Sequence, residues 1–265
     1  MLSILRREIP FLLALWKANL LAATEYRVAF LSQVVGMMLN NALYFVFWVI
    51  FFQRFEEVRG WSLNEMLLLF GVVAVGFGLA TFFFGNVLSL SEVIAEGRLD
   101  YYLSLPRPVL AHVLASGSAP SGMGDFTYGL ISFALAGHFS VDAIARFVLG
   151  ALLATVVFLS VLVIAHSAAF WLGNASLLAN QVTMAMITFS LYPITLFEGT
   201  AKLLLFTLLP AAFVGAAPAE FVRAFTWQTL GQLLAAAAIF LTLAVWLFHR
   251  GLRRYESGSA IQTQV

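Results

Sequence analysis

The sequence has no cysteine and few charged residues. Without cysteine the chain can form neither a disulfide nor a thiolate metal site. Charged residues make up 10% of its 265 residues, against roughly 25% in an average soluble domain, while 62% are hydrophobic. The net charge is only +1, so the composition indicates no nucleic acid or other strongly charged partner.

Four long stretches of the chain contain no Asp, Glu, Lys or Arg. They cover residues 28–52, 66–91, 147–197 and 224–248. A helix rises about 1.5 Å per residue, so each shorter stretch can cross a hydrocarbon core of about 30 Å once, and the longest can cross it twice. The Gly173-Asn174 pair suits a turn within the longest stretch. An all-α integral membrane protein is therefore predicted, with spans at about 28–52, 67–90, 147–171, 175–197 and 224–248.

A sixth span is predicted at about 120–139, although this region carries Asp125. Pro120 can occupy the first helical turn, where its missing N–H is not needed, and residues 120–139 then form a helix of about 30 Å. Pro210 breaks another apolar stretch further along the chain. We therefore expect residues 199–220 to form a re-entrant element on the outer side, before the last span.

The distribution of Lys and Arg favours six spans over seven. With six spans and a cytoplasmic N-terminus, nine of these residues lie inside and five outside, whereas a seventh span leaves seven on each side. The inside residues are Arg6, Arg7, Lys17, Arg27, Arg98, Arg107, Arg250, Arg253 and Arg254. Because Lys and Arg are enriched in cytoplasmic loops, both termini are predicted to be cytoplasmic.

The two ends of the chain are predicted to flank a membrane domain formed by residues 28–248. Within residues 1–27, apolar side chains recur at helical spacing and predict an amphipathic helix on the cytoplasmic membrane surface. These side chains are Leu5, Ile9, Leu12, Leu13, Trp16 and Leu20. Residues 249–265 are predicted to be a cytoplasmic tail.

Motifs for catalysis and metal binding are missing from the sequence. No Gly-rich phosphate loop ends in Gly-Lys-Ser/Thr, and the four histidines lie far apart without a second ligand at helical spacing. We therefore expect a chain with no catalytic residues, no metal and no nucleotide site of its own. His166, inside the fourth span, is interpreted as a hydrogen-bonded packing residue.

The loop between the second and third spans, residues 91–108, is compact, aromatic and mixed in charge. Its acidic first turn ends at Gly97, and residues 99–103 can form a second short helix that Pro106 stops. Such a loop can be a docking surface for another protein. The alternative is a solvated loop in which Asp100 and Pro106 only end helices.

This loop carries a recognisable pattern. Gly97-x-Leu99-Asp100-x-x-Leu103-x-x-Pro106, followed by Gly124-Asp125 and Gly129 in the third span, resembles the type-2 ABC exporter permeases, in their branch of small six-span permeases. The layout of the whole chain is similar too, from the surface helix through six spans and a Pro-containing outer element to the basic C-terminal end.

The resemblance implies an exporter in the cell membrane of a prokaryote. It would be built from two permeases, identical or homologous, and two separate ABC ATPase subunits that bind ATP and Mg. In this family the loop between spans two and three contains a coupling helix that sits in a groove of the ATPase, with the N-terminal surface helix beside it. Carried over to this chain, the coupling residues are Glu92, Glu96, Gly97, Leu99, Asp100 and Leu103.

Two helical faces and one outer pair are further candidates. Polar residues inside spans tend to face the bundle interior, so a stripe on the first span and a stripe on the fifth predict either the translocation path or the permease–permease interface. The stripes comprise Gln33, Asn40 and Tyr44, and Asn180, Met184, Thr188 and Tyr192. Hydrogen bonds that serve packing alone are the alternative. Glu198 and Lys202, four residues apart, are predicted to pair and form an outer gate.

The function predicted from these features is outward transport of an amphiphilic or drug-like substrate. The alternatives are an ATP-independent transporter, or an intramembrane enzyme that modifies lipids with Asp125 or His166 as its acid or base. The expected partners are the ABC ATPases, a second permease, membrane lipid and the amphiphilic substrate, with no nucleic acid.

Overall fold

Helices account for the regular structure of residues 2–256, the part of the chain that this computed structural model describes, with side chains from residue 8 onward. In chain order the helices are α1 (Leu2–Glu25), α2 (Arg27–Phe52), α3 (Leu63–Phe84), α4 (Leu90–Ala95), α5 (Leu99–Leu103), α6 (Val109–Ala115), α7 (Ser121–Leu135), α8 (Val141–Ser167), α9 (Ala169–Leu172), α10 (Ser176–Ser190), α11 (Gly199–Thr207), α12 (Ala216–Arg223) and α13 (Trp227–Leu252). Residues 257–265 of the predicted tail lie outside the described residues.

Four helical stretches are long and apolar enough to cross a membrane, which confirms the all-α membrane class. They are Arg27–Phe52, Leu63–Ala95, Val141–Leu172 and Trp227–Leu252. They correspond to the predicted spans 28–52, 67–90, 147–171 and 224–248. In the second of them, a 3₁₀ turn at Gly85–Ser89 joins α3 to α4, so one nearly continuous rod runs into the predicted coupling loop.

The two remaining predicted spans form shorter helices than expected. Both α7 and α10 have 15 residues, or about 22 Å, which is less than the hydrocarbon thickness. A left-handed Gly137 (φ 79°) follows α7, and Pro193 follows α10. The predicted spans were longer because residues 120–139 are the length needed for a helix of about 30 Å and because no charge interrupts residues 175–197.

The centre of the bundle is α3, which lies between α7 and α8. Two glycines of α3 face two glycines of α7, seven residues apart on each helix. A Cβ placed at Gly78 would lie 2.6 Å from the carbonyl oxygen of Gly122, and one at Gly71 would lie 3.0 Å from that of Gly129. We call these four residues the glycine seam. It lets the two backbones approach closely, as small residues do between membrane helices.

The predicted re-entrant segment begins and ends at one hairpin, which connects α2 to α3. Arg59 of that hairpin donates to the Thr195 carbonyl at 2.6 Å and to Glu198 at 2.7 Å, just before α11. At the other end, Arg223 donates to the Gly60 carbonyl at 2.8 Å. Between these points, α11 and the following helical stretch meet at an angle of 64°. The segment therefore leaves and returns to the same end of the bundle.

The first helix, α1, packs against the protein with one face and exposes another. Trp16 Nε1 donates to the Phe83 carbonyl at 2.7 Å, and Asn19 donates to the Ala115 carbonyl at 2.9 Å. Ile9 and Leu13 remain exposed. The sequence assigned Trp16 to the same apolar face as these two residues. The structure instead turns Trp16 and Asn19 toward α3 and α6, because both find backbone carbonyls there.

Candidate functional site

The predicted coupling loop folds into two short helices at one end of the bundle. The first, α4, continues the α3 rod, and α5 follows after Gly97, which has a left-handed backbone (φ 75°). A residue with a Cβ is strained in this conformation, so glycine is the residue suited to the turn. The acidic turn, the glycine and the short second helix thus lie where the sequence places them.

Three of the predicted coupling residues present their side chains to solvent. Glu92 is exposed on α4 and Glu96 directly after it, and Glu96 pairs with Arg98 at 2.8 Å. Leu103, at the end of α5, is 43% exposed. An exposed leucine on a segment that also exposes charged groups suits contact with another protein, since interfaces combine an apolar centre with a polar rim.

The other members of the predicted set are held against the bundle. Leu99 is 0% exposed and belongs to the main apolar core. Asp100 is half-buried beside Tyr255, where burial and then the Asp100 side chain raise the pKa of the Tyr255 hydroxyl to about 12. These two residues anchor the segment, and only the side chains next to them are available to a partner.

A residue that the sequence reasoning missed has the largest exposed apolar surface of α5. Tyr101 is 63% exposed, whereas its neighbour Tyr102 is turned inward and bonded to Ser116 at 2.8 Å between hydroxyl oxygens. A five-residue helix has too few turns for periodicity to separate an outward from an inward tyrosine. The only signal in the sequence was the presence of two adjacent aromatic residues.

The segment after α5 is fastened to α1. Arg107 pairs with Glu8 at 3.1 Å, and its guanidinium carbon lies 4.4 Å from the centre of the Phe11 ring. The Phe11 ring also packs edge-on against His112, with their centres 5.0 Å apart. Burial, followed by the nearby Arg107 charge, holds the pKa of His112 below its usual value, so the imidazole is neutral at neutral pH.

Beneath α4, a buried polar cluster joins three helices. Ser91 of α4 lies 3.0 Å from Nδ1 of His166 in α8, measured from its hydroxyl oxygen, and 3.2 Å from the Ser176 hydroxyl at the start of α10. Both Ser91 and His166 are buried. The packing role predicted for His166 fits this arrangement. The cluster therefore links α4 to α8 and to the start of α10.

The two predicted polar stripes lie on the surface of the bundle and not in its interior. All seven members are exposed, namely Gln33, Asn40, Tyr44, Asn180, Met184, Thr188 and Tyr192. Tyr192, at the end of the second stripe, contacts Trp48 of α2 with their ring centres 5.8 Å apart. The end of the second stripe therefore meets α2, which carries the first stripe.

Asp125 is buried where α7 contacts α2. Its side chain is 3% exposed, and one carboxylate oxygen accepts a hydrogen bond from Asn41 at 2.7 Å. The sequence placed Asp125 near a helix start but predicted no partner for it. Asn41 is adjacent in sequence to the predicted stripe residue Asn40 but points to a different neighbour.

The predicted outer pair is corrected by the structure. Glu198 pairs with Arg59, from the α2–α3 hairpin, at 2.7 Å. None of the ion pairs within the described residues involves Lys202. Glu198 lies just before α11, outside the helical spacing that the predicted pairing required, and Arg59 reaches it from across the hairpin.

Metal binding finds no support in the described part of the chain. No group of three or more His, Cys, Asp or Glu side chains there could hold an ion. The described residues instead form an exposed two-helix segment, α4 and α5, that is packed against the membrane bundle through Leu99 and Ser91.

A comparison with known protein families gives a match over most of this architecture. The model of the ABC-2 family transporter proteins matches residues 38–259, from the middle of α2 past the end of α13. The chain belongs to the ABC-2 transporter family. None of the curated proteins matches it. The resemblance noted from the loop pattern is thereby confirmed, and the chain is a membrane component of an ABC transporter.

Proposed function

We propose that this ABC-2 chain is the permease subunit of an exporter powered by separate ABC ATPase subunits. One observation carries the proposal: the α4–α5 segment exposes Tyr101 and Leu103 while Leu99 fixes it to the core. A docking surface can move a bundle only if it is joined rigidly to that bundle. ATP and Mg would be bound by the ATPase, and this chain would hold no cofactor.

The proposed coupling path runs from α4 into the membrane. Movement of an ATPase groove would displace α4, whose Ser91 contacts His166 and Ser176. Since α3 and α4 form one rod, the same displacement would tilt α3 relative to α7 at the glycine seam. A two-state transmission of this kind needs packed elements with a shared contact surface, as in other switching proteins.

A second permease would complete the pathway. We propose that the exposed stripes of α2 and α10 face this second copy or homologue, or line the path between the two. Amide side chains such as those of Asn40 and Asn180 are unfavourable against lipid tails, and a partner helix would cover them. An amphiphilic substrate would move outward along this interface, past the outer segment fixed by Arg59 and Glu198.

The alternative of an intramembrane enzyme is less well supported. Asp125 is buried and bonded to Asn41, and His166 is buried and contacts Ser91. A lipid ester would have to displace these packed side chains to reach either residue. An ATP-independent transporter would leave the exposed α4–α5 surface without a role.

Co-purification tests the proposed function. We expect the chain extracted from its native membrane in mild detergent to carry an ABC ATPase, and the purified complex to hydrolyse ATP and export its substrate from inverted vesicles. Transport by the chain alone in liposomes, at the same rate with and without ATP and the ATPase, would contradict the proposal.

We also propose six crossings, with the α11–α12 segment re-entering from the outer side. Because the chain has no cysteine, each introduced cysteine is a unique label. Glu57→Cys, Thr200→Cys and Ala224→Cys, all at exposed positions, should react with an impermeant maleimide in intact cells. Ser104→Cys should react only after the membrane is opened. Labelling of Thr200→Cys and Ala224→Cys from opposite sides would show instead that this segment crosses the membrane.

A further inference from the structure

The last turns of α13 carry a basic surface that the proposed transport mechanism does not use. Trp246, His249, Arg250 and Arg253 follow one another at helical spacing and share one face. Together with Val245 they line an open cavity of about 350 Å³. Trp246 is 56% exposed at its edge. The cavity therefore combines an aromatic wall with three groups that can carry positive charge.

The polar groups of this cavity have capacity left for a ligand. None of the ion pairs found within residues 8–256 includes Arg250 or Arg253. The His249 Nδ1–H donates to the Val245 carbonyl at 2.7 Å, because a carbonyl can only accept. This bond occupies one ring nitrogen and leaves Nε2 available. Two guanidinium groups and an imidazole edge thus line this site, and no carboxylate is among its described lining residues.

A second cavity shares Trp246 with the first and lies nearer the middle of α13. It has a volume of about 450 Å³ and is lined by Ala238, Ile239, Thr242, Leu243 and Trp246. Its lining is apolar apart from one threonine hydroxyl. Trp246 forms a wall of both cavities, and from Ala238 to Trp246 the groove extends about 12 Å along the helix.

We propose that the two cavities bind one anionic phospholipid. Its phosphate would lie between Arg250 and Arg253, and an acyl chain would lie in the groove that runs from Trp246 toward Ala238. Tryptophan favours the boundary between hydrocarbon and headgroups, and basic residues near that boundary attract anionic lipids. A free phosphate would leave the apolar groove empty. The proposal requires only that the chain is a membrane protein and is independent of any ATPase.

Quenching of Trp246 fluorescence by brominated lipids tests this site. The full-length protein is placed in phosphatidylcholine nanodiscs that contain either brominated phosphatidylglycerol or brominated phosphatidylcholine, and the signal of a Trp246→Phe variant is subtracted. We expect phosphatidylglycerol to quench Trp246 at a several-fold lower mole fraction. Arg250→Gln and Arg253→Gln should each weaken this preference about fivefold.

Arg254→Gln provides the matched control, because it removes the same charge one residue outside the cavity. It should retain the preference, and so should a double Arg250→Lys, Arg253→Lys variant, which also shows that the fold tolerates substitution. Equal loss in Arg254→Gln would mean general attraction to the basic end and would overturn the site. Three further results would overturn the lipid site. They are displacement of the lipid by millimolar glycerol phosphate, equal quenching by both brominated lipids, and quenching by neither lipid. In the third case a protein would cover this face of α13.

Discussion

Replacing Tyr101 and Leu103 together by aspartate is expected to separate the permease from its ATPase while leaving the bundle folded. Both side chains are exposed on α5, so they are free to fill an apolar groove of a partner. Loss of a central interface anchor commonly lowers affinity by about 2 kcal/mol, or roughly thirtyfold, and two introduced carboxylates add a desolvation penalty. We expect ATP-driven transport to be abolished and the ATPase to be lost on gel filtration.

Val141→Asp is the matched control for this experiment. Val141 is an exposed apolar residue at the opposite end of the bundle, in the first turn of α8, where an acidic side chain is compatible with the helix. It should bind the ATPase normally. Leu99→Asp should unfold the segment, since Leu99 is buried. If Tyr101 and Leu103 could be changed with full ATPase binding and transport, the α4–α5 surface would not be the coupling surface.

The second large effect is expected at the glycine seam. In Gly78→Ala the new methyl group would lie 2.6 Å from the Gly122 carbonyl oxygen and 2.7 Å from the Phe126 nitrogen. Both are backbone atoms, so α7 would have to move away from α3. We expect a loss of about 3 kcal/mol in the free energy of unfolding and a melting temperature lower by roughly 6–12 °C, measured on the detergent-solubilised protein.

Gly36→Ala tests whether this effect comes from helix contact or from the loss of glycine itself. Gly36 lies within α2, and a Cβ at this position would meet no atom within 4 Å. Alanine favours the helix more than glycine does, so the melting temperature should stay the same or rise slightly. Equal melting temperatures for the two variants would contradict the close contact between α3 and α7.

Most of the membrane layout could be predicted because it depends on local composition. A stretch without charge, such as residues 224–248, has to lie in hydrocarbon, and the helix Trp227–Leu252 follows from it. The ends of α7 and α10 were less predictable. The sequence near Gly137 and Pro193 does not mark where each helix stops. In the structure α7 ends at Leu135, shortly before the left-handed Gly137, and α10 ends at Ser190, shortly before Pro193.

The coupling segment shows the same division between location and orientation. Gly97 and Pro106 were sufficient to locate the end of one short helix and the extent of the next. They could not indicate that Leu99 is buried while Tyr101 and Leu103 are exposed, because a single helical turn carries no periodic pattern. The ion-pair partner of Glu198 could not be predicted from the sequence either, since Arg59 is distant in the chain and reaches Glu198 only after the hairpin has folded.

The sequence by itself determined that this chain is a helical membrane protein, where its longest helices lie, and which loop carries the family pattern. Hydrophobic stretches and turn residues act within a few residues of themselves, so they can be read along the chain. Only the tertiary structure decided which glycines meet, which polar stripes stay uncovered and which tyrosine of α5 is exposed. Those features depend on contacts between residues far apart in sequence, such as Gly78 with Gly122 and Ser91 with His166, and they exist only once the helices have packed.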